Sequence, residues 1–214
     1  NAVDVVRDLE QIFKAKGVEF MDAPVSGGPR GAASGKLAIW IGGDKATFDK
    51  YAKPLTDMGD QARYIGPIGA GTIAKLVHNS ASAAINVVMS EVMTMGVKAG
   101  VEPLQLFEAI RQGASGRVRT FDRLSNQFLT GVYDPPDFAL RLIHKDVGLA
   151  CQLGREVGVP MRLVNLAHQE LTEALNRGWG HRDSRVGSLL QQERAGIPPI
   201  KVDPARIKAV MDKG

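Results

Sequence analysis

A single cysteine, Cys151, occurs in 214 residues, so no disulfide can form within the chain and a reducing compartment is the default. The four histidines, His78, His144, His168 and His181, show no metal-ligand spacing with one another or with Cys151, and no metal is indicated. Aromatic residues make up only 6%, and nowhere are they interleaved with a Lys/Arg cluster. The basic residues are dispersed, 27 against 23 acidic, for a net charge of +4. A nucleic-acid surface has no support in such a pattern. No signal-peptide pattern is read, and no apolar run is read as long enough to span a bilayer. The expectation is a soluble, cytoplasmic protein with no membrane association. No internal repeat is visible.

With 44% apolar residues the chain can bury one sizeable core or two small ones. It opens at Asn1 and passes straight into an amphipathic stretch, in which Val3, Val6, Ile12 and Phe13 stand at roughly helical spacing. This reads as the middle of a longer protein. Residues 1–66 then alternate helix and strand signals. A helix over about 2–16 ends at Gly17, a strand runs from Val18 to Val25, and a glycine-rich run extends from Ser26 to Gly35. A buried strand covers Leu37 to Ile41, a helix with Asp44 as N-cap covers 44–58, and a strand covers Ala62 to Ile65. Such alternation indicates a layered α/β sheet, of which only the end is present.

After Gly66 the character changes. From about Thr72 to Ala99 there is no proline and no turn cluster, which predicts one helix on the order of 40 Å long. Its Ala, Ser, Val and Met residues surround most of the circumference and mark it as a mostly buried central helix. Met89, Met93 and Met95 read as core packing. Further helices are expected over 103–112, 117–129, 138–157, 161–177 and 184–195, with Pro103 in a first turn and glycines at several ends. The expected fold is an α/β remnant, the C-terminal end of a Rossmann-like domain, followed by an all-α domain with one long central helix. The boundaries fall at 1–66, 67–196 and a C-terminal tail, 197–214, with one short helix.

Three places could carry chemistry. In Asp22-Ala-Pro-Val-Ser26-Gly27-Gly28 a hydroxyl and consecutive backbone N–H groups could hold a carboxylate; as an isolated feature the same residues are more often a flexible turn between two strands. In the second, Gly69-x-Gly71-x-x-Ala74 resembles a dinucleotide fingerprint, but no second strand and acidic residue follow at the required distance, so that assignment is rejected. Those glycines let a helix start approach a ligand or another backbone. On that helix Lys75 and Asn79 lie four apart among apolar residues. A lysine there is either a proton-exchanging group or one that reaches solvent near the helix start. The third place holds Phe138, Lys145 and Asp146, which alone would be a surface charge pair beside an aromatic.

Joined in this order, Asp-Ala-Pro-Val-Ser-Gly-Gly, Gly-x-x-Gly-x-Gly-x-x-x-Lys-x-x-x-Asn, and Phe followed by Lys-Asp resemble the β-hydroxyacid dehydrogenases over about residues 1–196. The family includes 3-hydroxyisobutyrate dehydrogenase, tartronate semialdehyde reductase and glyoxylate reductases, with 6-phosphogluconate dehydrogenase more distant. The resemblance implies an oxidoreductase that moves a hydride between NAD or NADP and a small β-hydroxy acid or semialdehyde. It implies Lys75 as the catalytic general acid/base, and Ser26, Gly27, Gly28 and Asn79 as the substrate-binding residues. It implies that Lys145, Phe138 and Asp146 contact the cofactor, and that the protein is a homodimer or homotetramer. Members begin with a Gly-x-Gly-x-x-Gly loop that this chain lacks, so the chain alone is expected to be inactive. Two other readings share the architecture: an NADPH-dependent imine reductase, which usually has another residue in place of the lysine, and a non-catalytic dehydrogenase-like interaction module that has lost it.

Overall fold

The computed structural model describes residues 2–212. It is mostly helical with one small sheet of three strands. In chain order the elements are α1 (Val3–Lys14), β1 (Val25–Ser26), α2 (Gly28–Ala33), β2 (Ala38–Gly42), α3 (Lys45–Met58), β3 (Gln61–Gly66), α4 (Ala70–Lys98) and α5 (Pro103–Gln112). There follow α6 (Gln127–Thr130), α7 (Leu140–Glu156), α8 (Arg162–Asn176), α9 (Ser188–Arg194) and α10 (Pro204–Met211). Two 3₁₀ turns, Asp122–Ser125 and Ser184–Gly187, precede α6 and α9. The chain divides into two compact units, residues up to Ile85 and residues from Asn86 onward, and the division falls within α4.

In the first unit β2 is central: antiparallel to β1, with Val25 opposite Ile39 and Ser26 opposite Ala38, and parallel to β3. Alternation along β2 sends Ile39 and Ile41 to one face, where they form the core with Leu55 of α3 and, partly buried, Met21, Leu37 and Phe48. Asp44 caps α3 as its sequence position suggests, its carboxylate accepting from Thr47 N–H at 2.8 Å. The strand expected over Val18 to Val25 is reduced to an isolated bridge between Asp22 and Gly42 and the two residues of β1. Pro24 has no N–H to give a ladder, and residues 18–21 have no partner strand among the described residues. The glycine-rich run from Ser26 to Gly35 contains α2.

In the second unit α7 and α8 pack against each other around two clusters. Tyr133, Leu140, Ala174, Val186 and Leu190 form one; Cys151, Val159, Met161 and Val164 form the other, covered by Val88, Val92 and Met95 of α4. The expected helix over 117–129 is not formed: Asn126 leaves helical angles (φ −80°, ψ −89°) between a 3₁₀ turn and the short α6. The short helix expected in the tail is α10.

The long helix is present and unbroken at 29 residues, but it is not mostly buried. In this single chain only Gly71 and Thr72 are buried on it; Ile73, Leu76, Val77 (64% exposed), Val87, Met89 and Val97 face outward. Of the methionines read as core, Met95 packs and Met89 is exposed. The reading that no run is apolar enough for a bilayer is corrected too. By length and composition alone α4 is long and apolar enough to cross a membrane.

Between α7 and α8 the rings of His144 and His168 stack with centroids 4.3 Å apart. Thr172 Oγ1 gives its proton to the His168 carbonyl (2.8 Å), so it accepts from His144 Nε2 (2.9 Å), which assigns the Nε2–H tautomer to neutral His144. Burial first, and His168 second, lower the His144 pKa from its ordinary 6.5. A histidine depressed in the folded state contributes stability above about pH 6.5 that is lost as pH falls through its folded value, because the unfolded chain then binds the extra proton. Melting temperatures should therefore drop between pH 7.5 and 5.5, and the drop should shrink in His144→Gln; an unchanged pH response in that variant would refute the assignment.

Candidate active site

Lys75 lies in the second turn of α4 and is half-buried. What fixes that turn is Asp22, which is 6% exposed. One carboxylate oxygen of Asp22 accepts from Gly69 N–H at 2.7 Å; the other accepts from Thr72 N–H at 2.6 Å and from Thr72 Oγ1 at 2.8 Å. The start of α4 is thus capped by a carboxylate about fifty residues away in sequence, where the positive end of the helix dipole favours an anion. Asp22 is itself held by reciprocal backbone bonds with Gly42 (2.9 and 3.0 Å). Gly71 makes the close approach possible, since a Cβ there would collide with the Trp40 carbonyl oxygen. Of the two glycines, Gly71 serves a close approach to another backbone, whereas Gly69 faces the Val3 and Arg7 side chains of α1.

Trp40 stands on the face of β2 opposite Ile39 and Ile41, and its indole carries two groups of α4. The Lys75 ammonium is 5.9 Å from the ring centroid, and the His78 ring is 5.3 Å away, tilted by 51°. His78 Nδ1 lies 3.2 Å from the Asn79 carboxamide oxygen, so Asn79, exposed one turn beyond Lys75, is tied to the same group. Phe20, Asp22, Pro24, Thr72, Lys75 and Leu76 help to line a cavity of about 300 Å³.

Ser26 joins this face by register. Side chains of directly opposed antiparallel residues point to the same side, so Ser26, opposite Ala38, shares the Trp40 and Lys75 side of the sheet. Gly27 (φ +131°) and Gly28 (φ +59°) then turn the chain into α2 through angles that side chains rarely adopt. Ser26, Gly27, Gly28, Lys75 and Asn79 therefore all belong to the first unit.

The other expected residues belong to the second unit. Lys145 and Asp146 form a solvent-exposed ion pair at 3.1 Å, the kind that contributes little to stability. Leu142, Lys145 and Leu149 stand at i, i+3 and i+7 on an exposed face of α7, with the exposed Phe138 just ahead of its first turn. The Phe138 loop is held by Asp183, fully buried, whose carboxylate accepts from the N–H groups of Asp137 (3.0 Å), Phe138 (3.4 Å) and Arg185 (3.0 Å) and pairs with the Arg185 guanidinium (3.3 Å). Among the described residues no group of His, Cys, Asp or Glu could hold a metal.

Residues 69–188 match the family model for the NAD-binding domain of NADP-dependent 3-hydroxyisobutyrate dehydrogenase, and residues 2–66 match that for the NAD-binding domain of 6-phosphogluconate dehydrogenase. The chain belongs to the β-hydroxyacid dehydrogenase family. The cofactor class of that family is NAD or NADP. The chain is 31% identical over 189 residues to 2-(hydroxymethyl)glutarate dehydrogenase of Eubacterium barkeri, covering 88% of this chain and 62% of that protein. It is 30% identical over 210 residues to the mitochondrial 3-hydroxyisobutyrate dehydrogenase of Drosophila melanogaster, covering 91% and 62%. It thus spans about three-fifths of the length of the curated relatives it matches. An imine reductase from Pseudomonas sp. superposes with a TM-score of 0.73 over 89% of this chain and 66% of its own, at 14% identity, a likeness of fold alone.

Asp22, Trp40 and Asp183 were not singled out from the sequence. For Asp22 the signal was present: it heads the Ser-Gly-Gly motif, and the start of α4 offers no carboxylate of its own to its free N–H groups. Asp22→Ala should destabilise the chain by about 2–4 kcal/mol, since it strands buried N–H groups at a helix start. Thr72→Val, which removes only the hydroxyl bond, should cost about 1 kcal/mol. Denaturant titration reads both, and equal stability of Asp22→Ala and the parent would show that the cap is dispensable.

Proposed function

We propose that this chain carries the catalytic lysine and the substrate anchors of an NAD(P)-dependent dehydrogenase acting on a small β-hydroxy acid. The observation that carries the reading is Lys75: half-buried, on a helix turn pinned by Asp22, and on the same side of the sheet as Ser26. Both named relatives act on acids with a hydroxymethyl group beside the carboxylate-bearing carbon, which supports that substrate class. In this reading Ser26 and the backbone N–H groups of Gly27 and Gly28 hold the substrate carboxylate, and Asn79 orients the hydroxyl. Lys75 takes the hydroxyl proton during oxidation and returns it during reduction, a step worth roughly 10²–10⁴-fold in rate. The cofactor, when bound, accepts or supplies the hydride. Lys145 and Phe138 would contact it, with Asp146 beside them.

The proposed organisation is a Rossmann-like end over 1–66, a helical domain over 67–196 and a tail over 197–214. Self-association through the helical domain, as a homodimer or homotetramer, would cover the outward apolar residues of α4. The buried thiol of Cys151, unpaired among the described residues, fits the proposed cytoplasmic location. The presence of Lys75 favours hydroxy-acid chemistry over imine reduction and over a non-catalytic module.

In the full-length protein Lys75→Met should lower kcat by at least ~10²-fold on a panel of three- to five-carbon hydroxy acids, with cofactor affinity within a few-fold of the parent. More than about a tenth of kcat surviving would overturn the assignment, and turnover of cyclic imines in place of hydroxy acids would favour the imine reductase reading. Lys145→Met should instead weaken cofactor binding first. Sedimentation at micromolar concentration should give a mass of at least two chains; a single-chain mass would remove the self-association.

A further inference from the structure

A lysine that exchanges protons must present its amine at one place, yet its four-carbon stem has many rotamers and its ammonium is free to turn. The second turn of α4 fixes the Lys75 backbone and leaves the side chain unspecified. The indole of Trp40 supplies the missing constraint. Its backbone is immobilised on both sides: its N–H donates to the Pro24 carbonyl at 3.0 Å, and its carbonyl abuts Gly71 at the start of α4. Because β2 alternates, the ring is on the face away from the Ile39, Ile41 and Leu55 core, turned toward α4. Lys75 and His78 are three apart, one above the other on a helix face, and both meet this ring, at 5.9 and 5.3 Å. An ammonium within about 6 Å of an indole face is attracted to its negative quadrupole, and Trp is the strongest aromatic partner for this contact. His78 in turn lies 3.2 Å from the Asn79 carboxamide.

We propose that Trp40 is the positioning residue of this site, its indole setting where the Lys75 amine sits and, through His78, which way the Asn79 carboxamide points. The inference rests on the reading of Lys75 as the proton-exchanging group. It assigns to one strand residue the alignment of two polar groups a helical turn apart, while Ser26, on the same sheet face, is fixed independently by its pairing with Ala38. Loss of the ring should therefore disturb the chemical step more than the grip on the substrate carboxylate, since a misplacement of about 1 Å at a reacting group can cost ~10²-fold in rate.

Two measurements test it on the full-length protein. In the parent, the Lys75 ε-methylene proton resonance, assigned by its disappearance in Lys75→Arg, should be displaced upfield of the other lysines by the indole ring current; finding it at the common lysine position overturns the contact without reference to activity. In steady-state kinetics Trp40→Leu should lower kcat by about tenfold or more with KM for the hydroxy acid and for the cofactor within about threefold, and Trp40→Phe, which keeps an aromatic face, should recover most of kcat. A merely structural role would instead lower the melting temperature of both variants and leave kcat per folded molecule unchanged, which overturns the proposal. Turnover retained in Lys75→Met sinks the catalytic reading and this inference with it. Turnover lost in Lys75→Met but kept at the parent kcat in Trp40→Leu sinks the positioning role alone.

Discussion

A buried carboxylate is costly unless its lone pairs are met by donors, and Asp22 meets that requirement by accepting from the start of α4. The arrangement works in both directions. Asp22 is solvated by three donors in place of water, and at the start of α4 the Gly69 and Thr72 N–H groups find an acceptor from a distant segment. Because Asp22 also exchanges backbone bonds with Gly42, the strand segment, the end of β2 and the first turn of the helix form one rigid joint. The side chains of Ser26, Trp40 and Lys75 are all mounted within a few residues of it.

The second unit repeats the device. α8 begins at Arg162, its N-cap residue Met161 offers no side-chain cap, and Glu91 supplies one from α4, its carboxylate accepting from Leu163 N–H (2.9 Å) and Val164 N–H (3.1 Å). α7 likewise lacks a local cap, and Asp183 holds the loop in front of it. Where helices are capped locally, by Asp44, Glu102 or Asp203, they carry none of the residues assigned to chemistry. A cap delivered from a distant element fixes a helix start relative to that element, which a neighbouring cap cannot do.

This distinction explains what the sequence disclosed. Asp44, Pro103 and Gly17 act through their immediate neighbours, and the helices they bound were read to within a few residues. Lys75, Ser26 and the paired glycines stand out as candidates because their wording and order form a motif. Asp22 and Asp183 act across some fifty residues, and nothing local marks an acidic side chain as a remote cap. Trp40 was hidden for another reason: Leu37 to Ile41 is a continuous apolar run, which reads as a strand buried on both faces. Only the register shows that its two faces differ. The burial expected for α4 failed because composition reports the apolar character of a helix and not whether its own chain covers it.

The location of Lys75 on α4 then follows from the same constraint. Thirteen residues further on, from Val88, the helix gains its packing against the α7 and α8 core, and between the two anchored stretches its apolar side chains face outward in the single chain. A proton-exchanging group placed in that middle stretch would depend on whatever covers the helix for its position. Lys75, the proposed proton-exchanging group, lies within one turn of Thr72 and inherits the rigidity of the Asp22 joint, and the ring of Trp40, fixed by the same joint, lies within reach of its amine. The stem of lysine is too flexible for backbone placement alone to determine the site of proton exchange. The turn pinned by Asp22 sets the backbone end of Lys75, and the Trp40 ring on the adjoining strand, 5.9 Å from the ammonium, is the proposed constraint on the other end.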